Sequence, residues 1–194
     1  MNNILLKSIN QSIECKKELL KEQNQINKII NLIYLTIING GKIFFCGNGG
    51  SMSDAQHLTA ELLIRLRPKV NRKPIAAICL SMDSSSMTAC SNDYNFDKIF
   101  RRPFEALVKK KDLLIVITTS GNSKNIIEVL KSAKKSKIKT IGLLGSKGGK
   151  SKKYCDEKII VNSSNVARIQ ETHIFIGHYI LESVENLLIK KNKI

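Results

Sequence analysis

Leu113-Leu114-Ile115-Val116-Ile117-Thr118 is an unbroken apolar run, and Thr119-Ser120-Gly121-Asn122-Ser123 follows it directly. A continuous apolar stretch of this length fits a strand buried on both faces, inside a parallel sheet covered by helices. Residues 123–135 then read as a helix. The hydroxyl-rich run is therefore a turn from the carboxyl end of a buried strand into a helix. In open α/β sheets ligands bind at that end of the strands, where a helix start offers free N–H groups and the positive end of a dipole. Hydroxyls and backbone amides can surround a phosphate there without any lysine. Plain N-capping by Ser120 or Ser123 is the competing reading. A cap needs one hydroxyl, whereas Thr118, Thr119, Ser120 and Ser123 supply four.

Outward from this run, strands and helices alternate. Residues 2–22 and 25–39 carry helical stripes, Leu5, Ile9, Ile13 and Leu20 in the first and Ile26, Ile29, Ile30, Ile33 and Ile37 in the second, which Gly40-Gly41 ends. Lys42–Cys46 reads as a strand and Gly47–Ser51 as a glycine-rich turn, with a helix from Asp54 to about Arg67 stopped by Pro68. A strand over Ile75–Leu80, helices over Ser84–Ser91 and Asp97–Val108, and strands over Thr140–Leu144 and Lys158–Val161 follow. A long amphipathic helix from Ala167 to about Lys190 closes the pattern. Alternation of this kind implies parallel pairing through right-handed crossovers. The expected fold is α/β: a flavodoxin-like three-layer sandwich with a five-stranded parallel sheet over residues 40–190. A helical arm over 1–39 precedes it, within one domain spanning 1–194. That arm either packs on the sheet or mediates oligomerisation.

The 194 residues, 42% hydrophobic and 25% charged, are ordinary for a globular chain. No apolar run is long enough for a membrane helix, and the first residues lack a signal-peptide pattern, so a cytoplasmic location is expected. Five cysteines without a Cys-x-x-Cys pair suggest free buried thiols. The formal charge of +16 raises nucleic acid as a partner, but the lysines are scattered and no aromatic-interleaved basic motif occurs. No nucleic-acid partner is expected; the charge should instead steer anionic substrates inward.

Other motifs have less meaning alone. The Gly47–Ser51 turn lacks the Gly-Lys-Ser/Thr ending of a Walker loop and the spacing of a dinucleotide fingerprint. Gly148-Gly149-Lys150-Ser151 resembles a Walker tail by chance, since a leucine stands where the upstream glycine would have to be. His57 and Glu61, four apart, share one helix face; such a pair can hold a divalent metal or simply face solvent. Gln170, His173 and His178 are candidates on the last helix, where a lone histidine among apolar neighbours is more often a core residue.

Taken in order, the set is more specific. The chain carries Cys46-Gly47-Asn48-Gly49-Gly50-Ser51, Asp54-Ala55-Gln56-His57 with Glu61, and Asn92-Asp93. The 118–123 turn and Ala167-Arg168-Ile169-Gln170-Glu171, with His173 and His178, complete it. This pattern resembles the phosphoheptose isomerases (sedoheptulose 7-phosphate isomerases) of the sugar isomerase (SIS) domain superfamily, from about residue 40 to 187 and more loosely before. The resemblance implies an aldose–ketose isomerase that converts sedoheptulose 7-phosphate to D-glycero-D-manno-heptose 7-phosphate, toward ADP-heptose and the lipopolysaccharide core. It implies homotetramers with active sites at subunit interfaces, and Zn2+, one per subunit, on His57, Glu61, Gln170 and His178. Glu61 and His178 are its implied acid–base pair. The implied substrate contacts are Asn48, Gly49, Gly50, Ser51, Glu61, Arg65, Asn92, Asp93, Thr118, Thr119, Ser120, Ser123 and Gln170. Thr118 stands where the family usually has serine, and keeps the hydroxyl.

Gln170 and His178 raise a spacing problem. Eight residues of straight helix separate them by about 12 Å, too far for one zinc ion. Either the helix bends near Gly177, or only one residue binds per subunit, or a neighbouring subunit supplies one. The rival reading is a non-catalytic SIS-domain regulator resembling the DnaA initiator-associating protein; that protein has altered turns and lacks the acid–base residues, whereas Glu61, His178 and Ser120 are all present here.

Overall fold

Alternate side chains of the apolar run enter two separate cores. In the computed structural model, which describes residues 2–194, Leu113–Thr118 forms β3, and every one of its residues is buried. Leu113, Ile115 and Ile117 join a core on one side of the sheet, while Leu114 and Val116 join the core on the other. This two-sided burial is why the strand reads as continuous rather than alternating.

The other strands are β1 (Ile43–Gly47), β2 (Ala77–Cys79), β4 (Lys139–Gly145) and β5 (Glu157–Val161), all parallel in the order β2-β1-β3-β4-β5. One helical layer holds α2 (Gln23–Ile38), α3 (Gly50–Leu63) and α7 (Val166–Lys190). The opposite layer holds α4 (Ser84–Asp93), α5 (Arg101–Leu107) and α6 (Lys124–Lys135). The helix α1 (Asn2–Glu18) runs outside, against α7. Ile26, Ile29, Ile30 and Ile33 of α2 belong to the same core as the sheet residues. The expected three-layer sandwich with a five-stranded parallel sheet is the observed one.

The strand order reverses direction between β1 and β3. Gly47 pairs with Ile117, so the two strands end side by side and their turns open next to each other. That is the topological switch point, where this class of sheet binds ligands.

Three elements differ from expectation. Helix α3 begins at Gly50, not Asp54, so Gly50 and Ser51 lie in its first turn. It also ends at Leu63, well before Pro68, because the Arg72 guanidinium takes the carbonyls of Glu61 and Leu62 that further helix would have used. The expected helix over 97–108 is a 3-10 turn at Phe96–Lys98 and α5, with Pro103 in the first helical turn, where a missing N–H costs nothing. A 3-10 turn at Lys150–Tyr154 was not anticipated.

Candidate active site

The turn after β3 is braced internally. The buried Thr118 hydroxyl accepts from the Gly121 N–H (3.2 Å), and the Ser120 hydroxyl accepts from the Asn122 N–H (3.1 Å). Gly121 has φ +65°, and a Cβ there would sit 2.1 Å from the Gly148 carbonyl oxygen. The Gly148–Ser151 run thus backs the turn: Ser151 N–H donates to Gly121 O (2.8 Å) and Lys150 N–H to the Asn122 side chain (3.0 Å). Ser123 precedes α6 in the cap position, yet its side chain makes no capping hydrogen bond. Capping by Ser123 therefore does not account for the hydroxyls; the first N–H groups of α6 lack intrahelical partners, and that of Ile126 donates to the Asn125 side chain.

The turn after β1 is joined to this one. Asn48 and the buried Asn125 exchange amide hydrogen bonds of 2.9 and 2.8 Å. Asn125, on the first turn of α6, has no sequence signal apart from its position just after the hydroxyl run. Ser51 is buried at the start of α3. Gly50 must lack a side chain because the Gln170 amide lies against it; a Cβ would come within 2.4 Å of Gln170 Nε2.

Farther along α3, His57, Glu61 and the α7 residue His178 converge, with one ligand atom from each lying within 4.8 Å of the others. His57 Nε2 is 2.8 Å from His178 Nε2 and 3.4 Å from Glu61 Oε1. The two rings meet edge to face, with centroids 5.0 Å apart. Glu61 Oε2 is buried and has no hydrogen-bond partner among the described residues. Burial, and then the neighbouring His57, hold the His178 pKa below its ordinary value, while Glu61 opposes them. His178 is thus neutral near pH 7, with lone pairs to give. Asp54, one turn before His57, has its carboxyl pushed up to about 6 by burial, against the lowering effect of His57. Its Oδ2 is another buried atom without a partner. The three-residue spacing to His57 was the available signal for it.

The spacing problem takes a definite form. Helix α7 is continuous over 25 residues, and Gly177 serves contact: a Cβ there would lie 2.7 Å from Leu58 Cδ1. His178 meets His57 and Glu61 in the same chain, while Gln170 sits about 12 Å away along α7, at Gly50. His173 is fully buried. Asn92 and Asp93 stand exposed at the end of α4, hydrogen-bonded to each other (2.9 Å), and Arg65 is exposed just beyond α3. Among the described residues, none of these three bonds to the His57 cluster.

Two joined turns at the switch point, with an imidazole–carboxylate cluster beyond them, form the arrangement of a small-molecule site in an open α/β sheet. The SIS domain family model matches residues 8–145. Curated relatives include a phosphoheptose isomerase of Campylobacter concisus, 51% identical over 150 residues, covering 77% of this chain and 78% of that protein. Another, from Clostridium acetobutylicum, is 43% identical over 97% of this chain and 96% of its own. The solved phosphoheptose isomerase of Neisseria gonorrhoeae superposes with a TM-score of 0.88 at 35% identity, covering 95% of this chain and 98% of its own. The chain belongs to the phosphoheptose isomerase family of SIS-domain proteins.

Proposed function

We propose that this chain interconverts sedoheptulose 7-phosphate and D-glycero-D-manno-heptose 7-phosphate. Family membership supports the substrate class, and the convergence of His57, Glu61 and His178 within one chain carries the chemistry. The phosphate sits on the Thr119–Ser123 turn and the free N–H groups of α6, as the remote anchor whose binding energy orients the other end of the sugar. His57 lies seven residues into α3, about 10 Å from its start, a distance suited to an extended seven-carbon chain. Asn48, Gly49, Gly50, Ser51 and Gln170 line the path between, and Arg65, Asn92 and Asp93 complete the contacts implied by the family.

Aldose–ketose isomerisation moves one proton between C1 and C2 and another between their oxygens. Glu61 is the base that takes the carbon-bound proton and returns it to the neighbouring carbon. Its Oε2 is buried and has no hydrogen-bond partner among the described residues, so a lone pair is free to take the proton. His178, kept neutral, serves the oxygens of the cis-enediol, as a neutral imidazole can. The two facing Nε2 atoms and the orphaned carboxylate oxygen fit a divalent zinc ion, which would polarise the carbonyl when bound. His57, Glu61 and His178 would hold it, and Gln170 would come from a neighbouring subunit. This last point is in keeping with a homotetramer whose sites lie at interfaces. Exposed Ile4, Leu5, Leu6 and Leu20, each more than half accessible, support such association. Among the described residues no helix is long and apolar enough to cross a membrane. The same reading places one SIS domain over 1–194 in the cytoplasm, feeding ADP-heptose and lipopolysaccharide core synthesis.

The test is to incubate the purified protein with sedoheptulose 7-phosphate, with and without EDTA, and to follow the heptose 7-phosphate by NMR. Conversion that EDTA suppresses and Zn2+ restores is expected. No conversion in either tube would sink the proposal and favour a non-catalytic regulator.

A further inference from the structure

The two helices that carry the cluster are held together by a buried ion pair. Arg72, in the segment after α3, has a side chain only 1% exposed, and Glu185 of α7 only 3%. Arg72 Nε donates to Glu185 Oε1 at 2.6 Å. The rest of the guanidinium grips the end of α3: Nη2 donates to the backbone carbonyl of Glu61 (2.6 Å), and Nη1 to those of Leu62 (3.0 Å) and Lys73 (2.9 Å). Arg67 Nε binds the second Glu185 oxygen at 2.7 Å. One arginine thus holds Glu61 by its own main chain and, through Nε, holds α7.

Glu185 lies seven residues after His178, about 20° short of two full helical turns, so both project from the same stripe of α7. On the other side of His178, Gly177 packs against Leu58, three residues before Glu61. The Leu58–Gly177 contact and the Arg72–Glu185 pair therefore bracket the Glu61/His178 pair on both helices. Burying such a pair is often neutral for stability compared with apolar packing of the same shape. Its planar, multidentate geometry fixes position in a way that apolar packing does not.

We propose that the Arg72–Glu185 pair is a positioning latch that sets the register of α3 against α7, and so the placement of Glu61 and His57 relative to His178. Its catalytic consequence rests on the isomerase reading above; the geometric claim does not. Arg72 and Glu185 do not contact the cluster side chains. They act through the Glu61 carbonyl and the α7 stripe.

The chain's three histidines make the test direct. In EDTA-treated protein, imidazole 15N resonances report the His57–His178 contact, and those of buried His173 report the fold. Arg72→Lys keeps the charge but loses the fork; Glu185→Gln keeps the shape but loses the charge. Both should leave the His173 signals in place and shift those of His57 and His178. Turnover of sedoheptulose 7-phosphate should fall about tenfold or more, with KM changed by less than about threefold, since only the reacting end is misplaced. If Glu185→Gln does not fold, Arg72→Lys carries the test. Unchanged His57 and His178 signals in a folded variant, or an unchanged kcat, would overturn the latch. Shifted signals in a protein whose parent does not turn over the sugar would leave the latch standing and remove the isomerase reading instead.

Discussion

Gly121→Ala probes the phosphate anchor through a clash whose size can be worked out. The backbone at Gly121 has φ +65°, which costs alanine about 1–2 kcal/mol. The new methyl would sit 2.1 Å from Gly148 O, so the 148–151 backbone must retreat. That breaks Ser151 N–H to Gly121 O and Lys150 N–H to Asn122, two bonds contributing about 1 kcal/mol each. The total of about 3–4 kcal/mol is within the 5–15 kcal/mol typical of a whole domain, so the variant should fold. On the proposed reading, the displaced turn would no longer aim its amides and hydroxyls at the phosphate. KM for sedoheptulose 7-phosphate and the inhibition constant of inorganic phosphate should both rise, by roughly 10–100-fold. Gly40→Ala is the control, with φ +75° but nothing within 4 Å of its Cβ. It should lower the urea midpoint slightly and leave KM alone. A folded Gly121→Ala protein with parental KM would place the phosphate elsewhere.

Glu61→Gln and His178→Ala should each cut kcat by about 10²–10⁴ while the sugar phosphate still binds, as measured by calorimetry; near-parental kcat in either removes that residue from the chemistry. Replacing both Ser120 and Ser123 with alanine should raise KM strongly with little change in kcat, and a steady-state titration decides it. His173 gives a pH prediction. Burial lowers its pKa from 6.5 to about 4, so its contribution is complete above pH 6.5 and fades as pH falls toward 4. The loss over that window is about 3 kcal/mol by linkage. His173→Leu should flatten this part of the urea-midpoint profile, and an unchanged slope would assign the acid sensitivity to other groups.

The fold could be read from the sequence where one side chain decides one thing. Leu113–Thr118 is buried on both faces, so its apolar run specifies a central parallel strand and little else. The hydroxyl run that follows marks the turn into a helix, and two of its hydroxyls, those of Thr118 and Ser120, brace that turn. Boundaries set by distant partners could not be read. Helix α3 stops at Leu63 because Arg72, ten residues after Leu62, takes its carbonyl, and Pro68 was the wrong signal to follow. Gly148–Ser151 lacks the upstream glycine of a Walker loop, and its contact with Gly121 is a tertiary approach that no local pattern encodes.

The same distinction separates the two histidines of α7. His173 and His178 both lie in an apolar helical stretch, and periodicity treats them alike. Their fates differ because of what faces them: His173 is fully buried, whereas His178 meets His57 and the partly buried carboxylate of Glu61. A histidine becomes a site residue when a second polar group from another element is delivered to it. Here the delivery depends on how α3 and α7 cross, and Gly177 lets Leu58 come close enough for them to do so. The glycine that looked like a hinge in α7 is thus a packing residue. Helix α7 runs unbroken past it, so Gln170 stays with Gly50 at one end of α3 while His178 meets His57 and Glu61 farther along.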